Sequence, residues 1–274
     1  MGDFKYIYHY TNIETLALIL KNKTIRFNRL DRVDDISEGE SFEKIKLQNF
    51  LFVSCWTLDS EESIPLWRMY TNNLQGVRLR LSKDFFNWQP LKIPDKLLPL
   101  SHGVIESPIP YEEIFTNDYF ILPVAKGNSQ FERNVEYNPD YKNIKNQKII
   151  ITENRINIQD IGRIASIKSP NWAFQKEYRF ILMIFPSFPN TGFDDIFWQK
   201  NFPKYAIMAL HKGEGPKVNF FDMQINPDVL NSLEITLGPN CSEGNNLIVQ
   251  ALIEKYCPGA VVKKSNLTGS IRAF

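Results

Sequence analysis

The run Phe50 to Thr57 (Phe-Leu-Phe-Val-Ser-Cys-Trp-Thr) constrains the fold more than any other stretch of this chain. It is apolar and β-prone throughout, which predicts a strand that is buried on both faces. A later β-prone segment, Trp172 to Arg179, contains Glu177. An ionised carboxylate inside a strand is costly unless a cation meets it. We therefore expect Glu177 either on the wet face of its sheet or beside a positive charge.

The order of the remaining elements predicts one α+β domain over residues 1–274. Residues 84–145 are broken by prolines, and we expect an irregular insertion of short elements and loops over the core. Residues 230–274 are expected to form a C-terminal α/β unit. The other predicted strands are 5–10, 24–28, 77–81, 148–152, 173–185, 204–210, 233–237 and 261–264, and the predicted helices are 13–21, one that begins at Ser63 with Pro65 in its first turn, and 243–256.

Composition excludes several classes of protein. The chain has 32 Lys and Arg against 31 Asp and Glu, a formal charge of +1, so net charge favours no particular partner. No apolar run approaches the ~18 residues of a membrane span, and the start of the chain lacks a signal-peptide pattern. The three cysteines have no metal-ligand spacing. We expect a soluble, cytoplasmic protein with reduced thiols, no bound metal and no membrane partner.

His9 and Thr11 are candidate site residues, because they lie two residues apart in the first predicted strand and share its face. An imidazole and a hydroxyl that face one space favour a binding or catalytic site, although a lone strand histidine is often structural. Arg26 lies on the next predicted strand, as expected if the two strands bracket a pocket.

Aromatic residues follow the buried strand. Trp67 and Tyr70 are three residues apart on the predicted helix, so they share a face. With Trp56 they fit either a packed core or a flat platform for a planar ligand.

Glu177 shares the predicted strand face with Gln175 and Arg179. The alternation fits a solvent-facing ladder in which Glu177 pairs with Arg179 or Lys168. It fits equally well a sheltered carboxylate whose cation arrives with the substrate.

An acidic segment lies between Asp31 and Glu40. Its carboxylates could hold Mg²⁺ for a metal-dependent nuclease, but a solvated loop is the other interpretation.

These segments, taken in order, resemble the DUF2971 family of bacterial proteins, some of which lie near phage-defence and toxin genes. The resemblance runs through Tyr8–Thr11, Ile25–Asn28, Phe52–Trp56, Pro65–Tyr70 and Trp172 with Gln175–Arg179. The pattern is similar to the ADP-ribosyltransferase fold. It implies a split antiparallel sheet with flanking helices, a C-terminal βαβ-type extension and NAD as substrate.

The resemblance also implies roles for residues. Glu177 would hold the 2′-hydroxyl of the nicotinamide ribose, and Tyr70 or Trp67 would stack on nicotinamide. Gln175 and Glu177 form a Q-x-E pattern that is similar to transferases in which the first residue orients the acceptor. The implied catalytic residues are Glu177, His9 and Tyr70, and the implied NAD-binding residues are Tyr8, Thr11, Arg26, Trp56, Trp67 and Gln175.

The leading functional hypothesis is an NAD-dependent ADP-ribosyltransferase, a toxin or anti-phage effector that modifies a protein or nucleic-acid acceptor. An antitoxin or chaperone partner is compatible with such a role. Two alternatives use the same pocket: a catalytically inactive module that binds a nucleotide or partner, and an NAD glycohydrolase that transfers ADP-ribose to water.

Overall fold

The computed structural model of the protein describes residues 5–40, 45–91, 106–152, 155–187 and 196–271. The fold is α+β, with a large mixed sheet and flanking helices. No helix in these ranges is long and apolar enough to cross a membrane. The predicted insertion over 84–145 lies partly outside them, at residues 92–105.

The described strands and helices have the following bounds. The strands are β1 (Tyr6–Thr11), β2 (Thr24–Arg29), β3 (Leu51–Thr57), β4 (Val77–Ser82), β5 (Gln89–Pro90), β6 (Glu106–Ser107), β7 (Tyr119–Ile121), β8 (Glu132–Asn134), β9 (Glu136–Tyr137), β10 (Ile149–Thr152), β11 (Arg155–Ile158), β12 (Ile167–Lys168), β13 (Glu177–Pro186), β14 (Phe220–Gln224), β15 (Glu234–Leu237) and β16 (Val261–Lys264). The helices are α1 (Ile13–Asn22), α2 (Ile64–Tyr70), α3 (Tyr111–Ile114), α4 (Tyr141–Gln147), α5 (Ile161–Ile164), α6 (Ile196–Lys212), α7 (Pro227–Leu230) and α8 (Glu243–Tyr256).

Strand β3 is the centre of the sheet, which confirms the prediction from the run at Phe50 to Thr57. All of its residues except Cys55 are buried. Its whole length pairs antiparallel with β13, from Thr57 opposite Glu177 to Leu51 opposite Met183. The two most apolar strands of the chain thus lie side by side.

The other edge of β3 is shared by two strands, and there the sheet forks. β1 meets β3 only where Tyr8 lies opposite Thr57, and β2 meets it where Asn28 lies opposite Val53. Because both strands run antiparallel to β3, they run in the same direction, and α1 connects them. One branch continues from β2 to β14, and the other from β1 through β4 and β15 to β16.

Local sequence fixes the elements on either side of the fork. The Asn12 side chain caps α1 by accepting a hydrogen bond of 2.7 Å from the Thr15 amide. Lys23 ends the helix in the left-handed conformation, with φ of 56°. On the other branch, Gly76 packs so tightly that a Cβ there would lie 2.2 Å from the Thr11 carbonyl oxygen. Only glycine permits this approach.

The prediction for the segment before Glu177 was partly wrong. The strand expected over 173–185 begins only at Glu177, because Pro170–Gln175 form a 3-10 helix that the Ser169 side chain caps. Lys176, at φ of 43°, turns the chain into β13. The strand expected over 204–210 is instead part of α6. Its buried residues Ala206, Ala209 and Leu210 follow a helical spacing.

Two further regions extend the sheet. Within the described part of 84–145, β7 and β8 both pair with β13. At the C-terminal end, β15 and β16 pair in parallel across α8, with Ile235 opposite Val262, which confirms a βαβ unit. This parallel pair, in the C-terminal extension, makes the sheet mixed.

Candidate active site

A cavity of about 450 Å³ lies where β1 and β2 separate over β3. Both branches, α1, the first turns after β2 and the start of β13 contribute to its walls. Apart from Trp67, the predicted site residues all line this one cavity, although they come from distant parts of the sequence: Tyr8, His9, Thr11, Arg26, Trp56, Tyr70, Gln175 and Glu177.

His9 lies at the apex of the fork. Its Nδ1 is 3.0 Å from the carbonyl oxygen of Cys55, and since a carbonyl only accepts, Nδ1 carries the proton. Burial lowers the pKa of His9, against the opposing effect of this hydrogen bond. The imidazole is therefore neutral, and its Nε2, which has no partner among the described residues, presents a lone pair for a ligand hydroxyl.

Tyr8 and Thr11 flank His9 on β1. Tyr8 is covered by the Arg78 guanidinium, 3.9 Å from the ring centroid, an arrangement that fixes the ring against the neighbouring strand. Thr11 is buried. Both are therefore parts of a rigid wall.

Tyr70 joins two segments across the cavity. Its hydroxyl donates to the Asp34 carboxylate and accepts a hydrogen bond of 2.8 Å from Gln175 Nε2. Burial raises the pKa of Tyr70, and the Asp34 carboxylate raises it further, so the phenol stays neutral. Gln175, placed beside Glu177 by the 3-10 helix, thus orients Tyr70 directly.

Trp67 does not line the cavity, so the structure does not bring it together with the other predicted NAD-binding residues. It is fully buried in a small separate core, edge-on to Tyr10 at 4.9 Å between ring centroids, and its Nε1 donates to Glu62 over 3.0 Å. Residues three apart on a helix differ by about 60° in direction. That angle turns Trp67 inward and leaves Tyr70 at the cavity wall.

Trp56 touches the cavity but belongs to the main core. Only 3% of it is exposed, its ring packs 4.9 Å from Phe85 and 5.1 Å from His9, and its Nε1 donates to Ser54. It therefore supports His9 from behind. Among the aromatic candidates on β3 and α2, Tyr70 is the one that is both partly exposed and in the cavity wall.

Glu177 lies in the floor of the cavity and is ion-paired. Arg179 Nε donates to Glu177 Oε1 over 2.6 Å, and Lys168 Nζ donates to Oε2 over 3.1 Å. Lys168 also donates to Gln175 Oε1 over 2.9 Å. The peptide N–H of Glu177 is held by the Tyr137 hydroxyl at 2.8 Å. Two cations thus hold the carboxylate, and the Tyr137 hydroxyl holds the backbone beside it.

A second carboxylate, Glu38, completes this arrangement. It lies 2.7 Å from Arg179 Nη2 and 3.2 Å from Lys168 Nζ. Side chains of all four residues are between 0 and 5% exposed. We call this set, Glu38, Arg179, Glu177 and Lys168, the buried ion ring.

The ring keeps Glu177 ionised. Burial raises the pKa of Glu177, but the charges of Arg179 and then Lys168 outweigh this effect and hold it below its usual value. The same balance, led by Arg179, lowers the pKa of Glu38. The thiol of Cys55, beside Glu177, has its pKa raised by burial and by that carboxylate.

Both sequence interpretations of Glu177 need correction. Its partners are indeed Arg179 and Lys168, but the group is buried and does not form a solvent-facing ladder. Nor does its cation wait to arrive with a substrate, because the protein supplies two. The strand pattern suggested a wet face because Arg179, at 1% exposure, occupies an inward position that is normally apolar.

The acidic segment is dispersed among separate partners. Within the described residues, no group of three or more His, Cys, Asp or Glu side chains is placed to hold a metal ion. Each carboxylate has its own contact: Asp31 with Arg29, Asp34 with Tyr70, Asp35 with Ser37, Glu38 with Arg179 and Glu40 with Lys142.

The β2 wall of the cavity is polar and open. Arg26 pairs with Asp222 over 2.8 Å, and its guanidinium lies 3.6 Å from the Phe220 ring centroid. Arg32, exposed on the turn after β2, also lines the cavity. Sequence reasoning missed Arg32 and considered Glu38 only as part of the acidic segment that could hold Mg²⁺, because nothing in their local pattern distinguishes them from ordinary surface charges.

Comparison of the chain with protein-family models, with curated proteins and with solved structures gave no match in any of the three.

Proposed function

We propose that the protein is an NAD-dependent ADP-ribosyltransferase of the ADP-ribosyltransferase-like fold and that NAD binds in the cavity at the fork. One observation carries the proposal: His9, Tyr70 and Glu177, which come from β1, α2 and the start of β13, converge on one cavity. Its volume of about 450 Å³ lies in the usual range for small-molecule sites.

The ionised carboxylate supplies the chemistry. Breaking the bond between nicotinamide and ribose C1′ leaves the electron pair on nicotinamide and an oxocarbenium-like cation on the ribose. A carboxylate beside that cation stabilises the transition state more than the ground state. An acceptor then attacks C1′ and loses its proton, or water does so in hydrolysis. The buried ion ring keeps Glu177 in the charged form that this step needs.

The surrounding residues divide the tasks of binding. Neutral His9 offers Nε2 as an acceptor for a ribose hydroxyl, and the fixed ring of Tyr70 offers a face for nicotinamide. On the β2 wall, Arg26 and Arg32 provide positive charge suited to a diphosphate. Gln175 stands between Tyr70 and Lys168, and so couples the stacking residue to the carboxylate.

The test is nicotinamide release from NAD by purified wild type and Glu177→Gln. Glutamine keeps the shape of the side chain and removes its charge, and we expect a loss on the order of 100-fold, as for the removal of one stabilising group from a preorganised site. Glu136→Gln is the matched control, because Glu136 pairs with Arg163 in a partly exposed ion pair. It should retain full activity.

Nicotinamide release measured with and without cell lysate distinguishes transfer to an acceptor from hydrolysis. Release that requires lysate indicates transfer, and prior digestion of the lysate with protease or nuclease identifies the acceptor class. Release that is unchanged by lysate indicates hydrolysis. A folded Glu177→Gln variant with wild-type turnover would contradict the catalytic role of Glu177.

A second candidate function follows from the charge on Glu177. Two cations pair with this carboxylate, and they weaken its effect on a developing positive charge. This observation favours a module that binds NAD or a related nucleotide without cleaving it. Saturable NAD binding by calorimetry, with no nicotinamide released in the presence of lysate, would support that function.

A further inference from the structure

Glu38 closes the buried ion ring from outside the sheet. It lies on a 3-10 helix, Ile36–Gly39, in a segment that follows β2. Its carboxylate accepts from both nitrogens of the Arg179 fork and lies 3.2 Å from Lys168. These are the two cations that hold Glu177.

The segment that carries Glu38 is itself fixed. Asp35 caps the short helix by accepting from the Ser37 amide over 3.0 Å and from its hydroxyl over 2.6 Å. Gln48 donates to the Gly39 carbonyl over 3.0 Å. Glu38 therefore enters the ring from a supported backbone, which is what a side chain needs in order to position others.

The charges show what Glu38 does. Within the ring, two carboxylates face two cations. If Glu38 were neutral, the positive charges of Arg179 and Lys168 would both interact with the carboxylate of Glu177 alone. The Glu177 carboxylate would be drawn toward them, and its negative charge would be offset more completely.

We infer that Glu38 is a positioning residue: it shares Arg179 and Lys168 with Glu177, and so sets the orientation and the effective charge of the Glu177 carboxylate in the cavity. This inference rests on the proposed function for its kinetic test. Glu38 does not line the cavity, so it acts through Arg179 and Lys168 and not by touching a ligand.

The kinetic experiment compares Glu38→Gln with Glu40→Gln. Glu40 lies two residues further along the same segment and pairs with exposed Lys142. For Glu38→Gln, we expect kcat for nicotinamide release to fall on the order of 100-fold, which a misplacement of about 1 Å can cause. KM for NAD should stay within about twofold, because Glu38 does not line the cavity and His9, Tyr70 and the β2 wall keep their contacts. Glu40→Gln should match wild type in both.

A second measurement does not depend on enzyme activity. Cys55 lines the cavity beside the ring, and its alkylation by iodoacetamide as a function of pH reports the local charge. Arg179, Lys168, Glu177 and Tyr70 influence this thiol. Loss of the Glu38 charge should lower the apparent pKa of Cys55. A Cys241→Ser background removes the other partly exposed thiol.

The two measurements separate the possible failures. If wild type releases no nicotinamide, the proposed function fails, while the Cys55 profile still tests the role of Glu38. If folded Glu38→Gln matches Glu40→Gln in kcat, KM and Cys55 profile, the positioning role is wrong. A change in thermal unfolding alone would assign Glu38 a purely structural role.

Discussion

Two sets of ion pairs contribute residues to the wall of the same cavity and differ in their access to water. The buried ion ring has side chains between 0 and 5% exposed, whereas Arg26 and Asp222 are 43% and 29% exposed. Both sets join residues that are distant in sequence, and both have short contacts. Burial alone separates them.

The difference teaches which charges the fold depends on. In the ring, removal of one partner leaves an uncompensated buried charge, which is strongly destabilising. At the β2 wall, water replaces a lost partner at little cost, and an exposed pair contributes little to stability. Arg26 on the β2 wall can therefore exchange Asp222 for a ligand anion, whereas the buried ion ring must stay intact during binding.

The largest expected effect comes from breaking the ring at its centre. Arg179→Met should lower the free energy of unfolding by about 3–5 kcal/mol, since it removes the cation that pairs with both buried carboxylates, Glu38 and Glu177. Arg26→Met, which keeps a similar stem at the exposed pair, should cost about 1 kcal/mol or less. Urea unfolding of the two variants measures the comparison. Equal losses would show that burial does not separate the two sets.

The next effect is acid sensitivity. The folded pKa values of Glu38 and Glu177 are lowered from 4.5, so their stabilisation is complete above that pH and is lost as pH falls through the folded values. Wild type should lose unfolding free energy progressively below about pH 4.5, and Glu38→Gln should lose less over the same range. Urea unfolding from about pH 6 down to about pH 2, which covers the interval between the unfolded value and the folded value of Glu38, measures both variants.

The smallest expected effect on unfolding free energy comes from Tyr70, which lies in the cavity wall between the buried ion ring and the Arg26–Asp222 pair. Tyr70→Phe removes the hydroxyl that Gln175 donates to and that donates to Asp34. We expect a loss of about 1 kcal/mol in unfolding free energy, the usual net value of a hydrogen bond. The aromatic ring that remains at position 70 should keep NAD binding within a few-fold of wild type, as measured by calorimetry. A large loss of affinity would assign the binding role to the hydroxyl.

Much of the fold could be predicted from the sequence, because local chemistry determines its elements. The cap at Asn12, Pro65 in the first turn of α2 and the apolar run of β3 each specify a structure by themselves. One failure, the helix over 204–210, occurred where tertiary packing decides. The other, the late start of β13, has a local cause that the prediction overlooked, the 3-10 helix that the Ser169 side chain caps.

The site was predictable to the extent that its residues lie on recognisable elements. His9, Tyr70 and Glu177 were identified because each stands out in an apolar or aromatic context. Glu38 was not, since an acidic residue in an acidic loop carries no local sign of burial. Trp67 was assigned to the site wrongly, because helical spacing groups residues by face but does not say which of two neighbours turns inward.

The sequence by itself determined the apolar strands, the helix ends and the polar residues that interrupt the buried strands, because propensity and periodicity act over a few residues. Only the tertiary structure decided that β1 and β2 fork from one edge of β3 and that the fork encloses a cavity. The tertiary structure also decided that Glu38 and Arg179, 141 positions apart, belong to one buried ion ring. Desolvation and Coulomb energies depend on distance in space, and the spacing of residues along the chain does not record that distance.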